Sequence, residues 1–477
     1  MRNAVAAVKH AKPVKLAEQN PELTGLRVLV LGLGKSGVAA AKFALSKGAS
    51  VVAADQRSES ELAPQAVEIR ARGGVVHAGG HPAELALAAD LVVVSPGVPL
   101  TTPVLREAAD AGLPVWSEVE LAFRFCQGRV VGVTGSNGKS TTTAMIGSIL
   151  KTAGTPGGVG GNLGTPFTEL LAEDGPKAVH AVELSSFQLE AIHAFHAAVG
   201  VVVNLSPDHL DRYPSVAAYT AAKARLLQTQ RPGEAAVLNA DDPASRVFES
   251  AVRGRLFRFS TQTEVEQGAF VRNGTLVIRT EDGENKILPV DELPVPGDHN
   301  VQNAAAAALS CSLAGCAPSA IAGGLRAYKA LPHRLEFVAS FDGVSFYNDS
   351  KATNLDATVR AIQAFPPGTV HLILGGRDKG AEWSSLAALA EERIARVLLV
   401  GEAAATIRGA LEGVVLVEDC GTVRTAVRVG FEGAVPDDVV LLAPGCASFD
   451  QYRNFEARGE DFKQAVHGLF PEGEHRA

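Results

Sequence analysis

A glycine turn between an apolar strand and a helix, at residues 130–143, constrains the fold of this chain most strongly. The run from Val130 to Thr134 is apolar and predicts a buried strand, and the sequence GSNGKST follows it at 135–141. Apolar residues then recur at helical spacing as far as Leu150. Such a turn can wrap an anion with its backbone N–H groups, and the helix N-terminus adds partial positive charge there. The segment therefore predicts a phosphate-binding site.

Two side chains of this turn suit phosphate chemistry. Lys139 can neutralise the charge of a transferring phosphate, and the Ser140 hydroxyl can ligate magnesium. The spacing departs from the standard P-loop, whose first glycine would stand where this chain has Val133, and Gly132 and Gly135 flank that position instead. The alternative is an ordinary strand–turn–helix with a surface lysine. A strand before the turn and a helix after it favour phosphate binding.

Size and composition restrict the class of protein. A chain of 477 residues predicts about two to four domains, and 46% apolar with 20% charged residues is typical of a soluble α/β protein. The net charge of −8 argues against nucleic-acid binding. The sequence has no uninterrupted run of about 20 apolar residues, so we expect no membrane-spanning segment, and we expect no secretory signal. The five cysteines are scattered without C-x-x-C spacing, which favours buried thiols in a reducing cytoplasm.

A second glycine motif lies near the N-terminus. A buried-type strand at 26–31 runs into Gly-Leu-Gly-Lys-Ser-Gly at 32–37, and a second strand ends in an acid at Asp55. This is the dinucleotide fingerprint, with a carboxylate placed for a ribose hydroxyl, and alone it suggests NAD. A later strand leads into a loop that contains Gly97, and the domain closes near residue 118. The pattern predicts a nucleotide-diphosphate site of Rossmann-like geometry and leaves the nucleotide open.

Charged residues follow two apolar strands of the central region. The strand at 178–183 ends in Glu183, which is placed like a Walker-B acid for magnesium, although a surface acid is the alternative. The strand at 199–203 precedes Asp-His-Leu-Asp-Arg at 208–212, and these charges are costly to leave without partners. They indicate a metal or phosphate site. A helix that follows carries Lys223.

Several other segments give weaker signals. Residues 157–164 are so rich in glycine that we expect a loop beside the site, and 235–290 predict peripheral β-structure. Asn300 precedes an alanine-rich helix at 304–313, where it could cap the helix or face a purine or phosphate. Residues 1–24 lack periodicity and are expected to form a mobile tail.

A third array of strands and helices begins near residue 331. Its predicted strands end in polar loops and lie at 344–347, 370–374, 397–400 and 439–443. The chain is thus expected to be an α/β protein with an N-terminal Rossmann-like domain, a central P-loop ATPase-like domain on a mostly parallel sheet, and a C-terminal Rossmann-like domain. The expected boundaries are 25–118, 119–330 and 331–477, after the tail at 1–24.

A series of spaced motifs resembles the Mur ligases, which build the peptide stem of bacterial cell-wall precursors. The motifs are GSNGKST at 135–141, GGNLG at 160–164, ELSSFQLE at 183–190, NLSPDHLDRY at 204–213, GDHNVQN at 297–303, LPHR at 331–334, NDSKATN at 348–354 and CASFDQYRNFEARG at 446–459. The resemblance covers essentially everything from residue 25 onward. Within the family, three of these motifs look most like those of the members that add D-glutamate.

The resemblance implies an amide-forming reaction. ATP would phosphorylate the L-alanyl carboxylate of UDP-N-acetylmuramoyl-L-alanine, and the amine of D-glutamate would attack the acyl phosphate, with Mg²⁺ as cofactor. It also implies UDP in place of NAD at the first glycine motif. The rivals are a related Mur ligase or a folylpolyglutamate-synthetase-like ligase with another amino acid, and, in other classes, a nucleotide switch or an NAD oxidoreductase.

The resemblance assigns residues to each part of this reaction. It implies catalytic roles for Lys139, Glu183, His209 and Lys223, and metal ligation by Ser140, Glu183, His209 and a carbamylated Lys223. It places ATP on Gly135, Ser136, Asn137, Gly138, Lys139, Ser140, Thr141, Asn300, Arg334 and Asp349. It places the UDP substrate on Lys35, Ser36, Gln56, Arg57, Gly97, Asn162, Ser185 and Gln188, and D-glutamate on Lys351, Thr353, Ser448 and Phe455.

The resemblance also implies a cellular setting. The product would serve peptidoglycan synthesis, and through it cell shape and division. We expect a cytoplasmic monomer without nucleic-acid partners, whose domains close to exclude water from the acyl phosphate.

Overall fold

A computed structural model of the chain describes residues 16–210 and 212–469. Most of the expected tail at 1–24 and one acid of the charged loop, Asp211, therefore lie outside the described residues. The chain divides into two compact units. One comprises residues up to 288 together with 305–325, and the other comprises 289–304 together with residues from 326 onward.

The N-terminal sheet is parallel throughout the described chain, in the order β3-β2-β1-β4-β5. Its strands are β1 Arg27–Leu31, β2 Ser50–Asp55, β3 Val75–Ala78, β4 Leu91–Val94 and β5 Val115–Ser117. The helices are α1 Lys35–Ser46, α2 Ala63–Arg70, α3 Glu84–Leu87, α4 Pro103–Asp110 and α5 Glu118–Phe125. Continuous Val/Leu runs form the inner strands because helices cover both faces of such a sheet.

The central sheet has the order β14-β13-β12-β11-β10-β9-β6-β8-β7 among the described residues. Its strands are β6 Arg129–Thr134, β7 Val159–Gly161, β8 Val179–Glu183, β9 Val199–Val202, β10 Ala235–Asn239, β11 Arg255–Ser260, β12 Gly268–Arg272, β13 Thr275–Thr280 and β14 Gly283–Pro289. The helices of this region are α6 Lys139–Thr152, α7 Phe167–Leu170, α8 Ser186–Leu189, α9 Val216–Gln228, α10 Asp298–Leu313 and α11 Pro318–Arg326. In this spatial order, all neighbouring strands between β12 and β7 pair in parallel, and β12 pairs with β13 antiparallel.

The C-terminal sheet has the order β15-β16-β20-β17-β18-β19. Its strands are β15 Glu336–Phe341, β16 Val344–Asn348, β17 Val370–Gly375, β18 Ile394–Val400, β19 Val417–Gly421 and β20 Val439–Leu442. The helices are α12 Leu355–Gln363, α13 Ala387–Arg393, α14 Ala404–Leu411, α15 Val423–Glu432 and α16 Phe455–Leu469. An antiparallel edge strand, β15, joins an otherwise parallel sheet, which is a common arrangement in α/β folds. The predicted α/β class with mostly parallel sheets is confirmed.

One prediction about local structure is wrong. Residues 157–164 were expected to form a loop, yet Val159–Gly161 pair with the edge of β8. Their glycines allow a very close approach of the two backbones, since a Cβ on Gly157 would lie 2.2 Å from the Val179 carbonyl oxygen. The glycine-rich composition therefore reflects tight strand pairing at a sheet edge.

The described residues contain no helix with the length and apolar character that crossing a bilayer requires.

Candidate functional site

The carboxyl ends of three adjacent strands meet beside the glycine turn. In the central sheet, β6 lies between β8 and β9, with Val133 in register with Glu183 and Thr134 in register with Val202. This register places the Glu183 carboxylate next to the start of the turn and the loop after β9 on its other side. A ligand beyond the strand ends would meet all three segments.

The turn has the conformation of an anion-binding loop. Gly135 and Gly138 have φ values of 143° and 80°, which residues with a Cβ rarely adopt, and α6 begins directly afterwards at Lys139. The Asn204 side chain holds the loop from the neighbouring strand end. Its Oδ1 accepts a hydrogen bond from the Asn137 backbone N–H at 2.9 Å, and its Nδ2 donates to the Asn137 carbonyl at 3.0 Å. Sequence analysis assigned no role to Asn204, although it lies within a noted motif.

Lys139 is held over the loop that it follows. Its Nζ donates to the Gly135 carbonyl at 3.0 Å and to the Ser136 carbonyl at 2.7 Å. The Ser136 hydroxyl in turn donates to the Ser206 carbonyl at 2.8 Å and lies 3.2 Å from the Tyr219 hydroxyl. The ammonium group therefore lies beside the glycine turn, where phosphate oxygens can replace the carbonyl oxygens as its hydrogen-bond acceptors.

Glu183 is buried at the end of β8 and is engaged on both carboxylate oxygens. The Ser140 hydroxyl donates to Oε2, and Asn162 Nδ2 donates to Oε1 at 2.6 Å. A carboxylate, a hydroxyl and an amide that converge in this way supply the oxygen ligands that Mg²⁺ prefers. The structure brings Asn162 to this carboxylate, whereas sequence analysis assigned it to the UDP substrate. Thr141, one residue further into α6, is half-buried.

Lys223 is buried in α9 and points at the same turn. Its Nζ donates to the Gly135 carbonyl at 2.8 Å and lies 4.4 Å from the centre of the Tyr219 ring. Burial, and next the positive charge of Lys139, hold the pKa of Lys223 well below its usual range. Two lysines thus converge on one carbonyl, and the buried one is predisposed to lose its proton.

His209 approaches the same aromatic ring from the loop after β9. Its ring centre lies 6.2 Å from that of Tyr219 and 5.0 Å from that of Phe187, and its Nε2 lies 3.6 Å from a carboxylate oxygen of Asp208. The left-handed backbone conformation of His209, with φ of 55°, turns the loop at this residue. Lys139, Ser140, Glu183, Lys223 and His209 therefore belong to one neighbourhood.

Five of the eight predicted UDP-substrate residues line two clefts beside the N-terminal sheet. Lys35, Ser36, Gln56 and Gly97 line a cleft of about 320 Å³ at the carboxyl ends of β1, β2 and β4. Arg57 lines an adjacent cleft of about 530 Å³, which Lys35 also borders. These clefts lie where an open α/β sheet binds its ligands.

The acid of the dinucleotide fingerprint is already occupied. Asp55 accepts the Leu33 backbone N–H at 2.6 Å and a forked pair of hydrogen bonds from Arg57, at 3.0 and 2.9 Å. Burial opposes ionisation, but the hydrogen bonds of Arg57 and Leu33 outweigh it and hold the pKa of Asp55 well below its usual range. This carboxylate therefore orders the glycine turn from inside the protein.

Ser185 and Gln188 lie apart from both clefts. They form a capping box at the start of α8, in which the Ser185 hydroxyl accepts the Gln188 N–H and Gln188 Oε1 accepts the Ser185 N–H. The Gln188 Nε2 is buried and has no hydrogen-bond partner among the described residues.

Three of the predicted D-glutamate residues, Lys351, Thr353 and Phe455, are connected by contacts in the C-terminal sheet region. Lys351 Nζ lies 4.0 Å from the centre of the Phe455 ring, and the Thr353 backbone N–H donates to the Lys351 carbonyl at 2.8 Å. Ser448 is buried in the loop that follows β20. The structure thus joins the start of α16 to the loop after β16.

Arg458 joins these two loops, and sequence analysis overlooked it. The buried guanidinium donates to the hydroxyl and the carbonyl of Ser350, at 3.0 and 2.8 Å, and to the Cys446 carbonyl at 3.1 Å. The sequence signal that could have identified it is the presence of an arginine near the end of the last motif, at 446–459. Its fork fixes the segment that carries Lys351 against the segment that carries Ser448.

Asp349, Arg334 and Asn300 belong to the same compact unit. Burial raises the pKa of Asp349 above its usual range, although the nearby Arg334 guanidinium opposes this change. Asn300 lies inside α10, which begins at Asp298, and its Nδ2 donates to the Pro296 carbonyl at 2.6 Å. The suggestion that Asn300 caps a helix starting near 304 is therefore wrong.

A further cluster of possible metal ligands lies elsewhere in the described chain. Cys126, Asp174 and His180 place one ligand atom each within 4.8 Å of one another. Their hydrogen bonds are already committed, because His180 Nδ1 accepts the Gly158 N–H, its Nε2 bonds Asp174, and Asp174 also accepts the Gln127 N–H. We interpret this cluster as a buried structural network.

Comparisons with known proteins cover nearly the whole chain. Family models match as the Mur ligase MurD-like N-terminal domain at 26–117, the Mur ligase middle domain at 133–311, and the Mur ligase glutamate ligase domain at 333–446. The chain is similar to UDP-N-acetylmuramoylalanine–D-glutamate ligases of Acidobacterium capsulatum and Koribacter versatilis, at 46% and 44% identity. Each alignment covers 93% of this chain and, respectively, 97% and 98% of the relative.

Solved structures agree on the fold. The pseudomurein peptide ligase type C from Methanothermus fervidus matches with a TM-score of 0.60 at 19% identity, covering 94% of this chain and 100% of that chain. At this identity the likeness concerns architecture alone.

Proposed function

The chain belongs to the Mur ligase family, and we propose that it joins D-glutamate to UDP-N-acetylmuramoyl-L-alanine at the expense of ATP. The similarity to D-glutamate ligases over more than nine-tenths of the chain is the observation that carries this proposal. The convergence of a P-loop, a buried carboxylate and two lysines at one sheet edge supports it, because phosphoryl transfer needs positioned charge at that place.

Residues of the glycine turn would bind the phosphates of ATP. The backbone N–H groups from Gly135 to Thr141 would cradle them, and Lys139 would transfer its hydrogen bonds from loop carbonyls to phosphate oxygens. Positive charge at this position stabilises the transition state of transfer to the L-alanyl carboxylate. The further ATP assignments, Asn300, Arg334 and Asp349, remain part of the proposal.

Ser140 and Glu183 would hold one Mg²⁺, with Asn162 orienting the carboxylate. Oxygen ligands suit this hard cation, and a bound Mg²⁺ would neutralise part of the negative charge of the phosphates. His209 and Lys223 would serve a second ion from the loop after β9 and from α9.

Lys223 would do so as a carbamate. A neutral Nζ can attack carbon dioxide, forming an N–C bond and releasing one proton, which converts a cation into an oxygen-bearing anion. Burial beside Lys139 favours the neutral amine that this step requires. An unmodified ammonium would instead repel Mg²⁺.

The remaining assignments follow the observed grouping of residues. Lys35, Ser36, Gln56, Arg57 and Gly97 line the clefts proposed for the UDP moiety, with Ser185 and Gln188 as further substrate contacts. Lys351, Thr353, Ser448 and Phe455 would hold D-glutamate, since a dicarboxylate requires a cation and donors. We propose a cytoplasmic monomer with domain boundaries at 25–118, 119–330 and 331–477, acting in peptidoglycan precursor synthesis.

The test is ADP release with UDP-N-acetylmuramoyl-L-alanine, ATP, Mg²⁺ and a panel of amino acids. We expect turnover with D-glutamate and none with L-glutamate, L-alanine, meso-diaminopimelate or glycine. The variant Lys139→Ala should lose ADP release, whereas Lys151→Ala, an exposed lysine at the other end of α6, should retain it. Turnover with a different amino acid would assign the chain to another Mur ligase activity, and turnover without any amine would reject the ligase.

A further inference from the structure

Cys311 lies in the last turn of α10, and Cys316 lies in the turn that ends this helix. The Cys316 N–H donates to the Cys311 carbonyl and the Gly315 N–H donates to the Ser312 carbonyl, both at 2.9 Å. Gly315 has a φ of 94°, and α10 ends at Leu313. This is a Schellman motif, which brings the third-last helical side chain into contact with the second residue beyond the cap. Both of those residues are cysteines here.

The two thiols differ in exposure and influence each other. Cys311 is fully buried, and its thiol donates a long hydrogen bond to the Ile146 carbonyl at 3.9 Å. It also lies near enough to Cys316 to affect the ionisation of that residue. Cys316 is half-exposed and lies between the exposed residues Gly315 and Ala317. The expectation of buried thiols therefore holds for the other four cysteines and is wrong for Cys316.

The surroundings of Cys316 favour its thiolate. The hydrogen bond from Cys311 lowers the pKa of Cys316 to about 7, with further lowering by a hydrogen bond from Thr155 and by the Arg129 charge, against the opposing effect of burial. Arg129 is fixed at this turn because its Nη2 donates to the Ala314 carbonyl at 2.9 Å. A solvent-accessible thiolate beside a second thiol is the arrangement in which oxidation stops at a disulfide.

We propose that Cys311 and Cys316 form a peroxide-reactive dithiol, in which Cys316 is oxidised first and Cys311 then closes a disulfide. The Cys316 thiolate attacks one oxygen of hydrogen peroxide. The S–O bond forms, the O–O bond breaks, and hydroxide leaves and takes up a proton as water. The Cys311 sulfur next attacks the sulfenic sulfur, so that the S–S bond forms, the S–O bond breaks, and a second water leaves with the thiol proton. Two thiols and one peroxide thus yield one disulfide and two waters.

The other three cysteines provide an internal control. Burial raises the pKa of Cys126 and of Cys446 to about 12, and that of Cys420 to about 11. Among the described residues, the neighbours that bond these thiols or shift their pKa values are residues other than cysteine. They should remain reduced under conditions that oxidise the pair.

In the experiment, the full chain is treated with a small excess of hydrogen peroxide at pH 7.5 and is then alkylated under denaturing conditions, so that buried thiols also react. The chain is digested and the masses of its peptides are measured. The tryptic peptide 287–326 contains both cysteines. We expect this peptide to lose two hydrogen atoms and to escape alkylation, with reversal by dithiothreitol, while Cys126, Cys420 and Cys446 are alkylated in full. Without peroxide, iodoacetamide at pH 7 should modify Cys316 at least about tenfold faster than Cys420.

A single substitution separates the two steps. In Cys311→Ala the resolving thiol is missing, so Cys316 should accumulate as a sulfenic acid that dimedone traps, whereas wild type should give little adduct. Cys316→Ser should leave Cys311 unoxidised. Full alkylation of both cysteines after peroxide in the wild-type chain would overturn the proposal, as would a dimedone adduct on wild-type Cys316 equal to that of the variant. The wild-type peptide measurement requires no variant to fold.

Discussion

At the scale of single residues, burial shifts the ionisation of two enclosed side chains of opposite charge. Lys223 and Glu118 are both enclosed, and in each case burial favours the neutral form. The sequence placed Lys223 on the helix after a charged loop and gave it a role only through the family resemblance, and it gave no sign of Glu118. Neither burial nor the convergence of two lysines on the Gly135 carbonyl can be inferred from local spacing, because both depend on residues distant in sequence.

The proposed carbamate on Lys223 predicts chemical rescue. Lys223→Ala should reduce ADP release about 100-fold, because a ligand anion beside the phosphates is lost. Added formate or acetate should restore part of the activity by occupying the vacated position. Lys223→Arg serves as the matched control. Its guanidinium cannot be carbamylated, and its side chain occupies the position that formate or acetate would need, so added carboxylate should not restore activity. Full activity of Lys223→Ala without added carboxylate would reject the carbamate.

Glu118 predicts a pH dependence of stability. Burial raises the pKa of this carboxyl from 4.5 to about 7, against hydrogen bonds from the Thr168 N–H and hydroxyl to Oε1, while Oε2 has no partner among the described residues. The folded state therefore binds the proton more tightly than the unfolded state. This contribution is fully present below about pH 4.5 and is lost as the pH rises through about 7.

The variant Glu118→Gln remains neutral and keeps an oxygen for Thr168. The free energy of unfolding of wild type relative to this variant should fall by up to about 3 kcal/mol between pH 5 and pH 8. Denaturant unfolding of both proteins at several pH values measures it. Parallel stability curves across this range would contradict the assigned burial effect.

At the scale of elements, hydrophobic runs predicted the inner strands well and the edge strands poorly. The strands β1, β6, β17 and β20 are apolar and buried, and their positions were predicted closely. β15 and β19 were missed because they are partly exposed and carry charged or polar residues without clean alternation. β7 was mistaken for a loop because its glycines serve a close backbone approach, which composition alone cannot distinguish from flexibility.

Arg458 carries a prediction about how two loops are held together. Burial lowers its pKa to about 10, so the guanidinium stays charged at neutral pH and donates to Ser350 and Cys446. Arg458→Lys keeps the charge and loses the fork, which should cost about 2 kcal/mol of stability and raise the D-glutamate KM about tenfold with little change in the ATP KM. Arg453→Lys, an exposed arginine of the same segment, should change neither. Unchanged KM values beside a loss of stability would show that Arg458 acts on stability alone, and equal increases of both KM values would contradict the link to D-glutamate.

At the scale of the whole molecule, three α/β sheets present polar loops at the carboxyl ends of their strands, and the proposed reaction distributes its substrates among them. The sequence alone predicted this architecture, because each sheet repeats the same strand–loop–helix pattern. Glycine spacing could not distinguish UDP from NAD at the first sheet, since either diphosphate fits the same turn. The choice rests on family membership.

In the proposed reaction, the chain transfers the γ-phosphoryl group of ATP to a carboxylate before the amide forms. The most direct measurement uses UDP-N-acetylmuramoyl-L-alanine with ¹⁸O in the alanyl carboxylate, together with ATP, Mg²⁺ and D-glutamate, and determines the isotope in the inorganic phosphate by mass spectrometry. In the acyl phosphate, one carboxylate oxygen bridges carbon and phosphorus. The amine attacks the carbon and the C–O bond breaks, so this oxygen leaves with the phosphate. We therefore predict one ¹⁸O in each phosphate released with product. Phosphate without ¹⁸O, formed in step with the D-glutamyl product, would contradict the account.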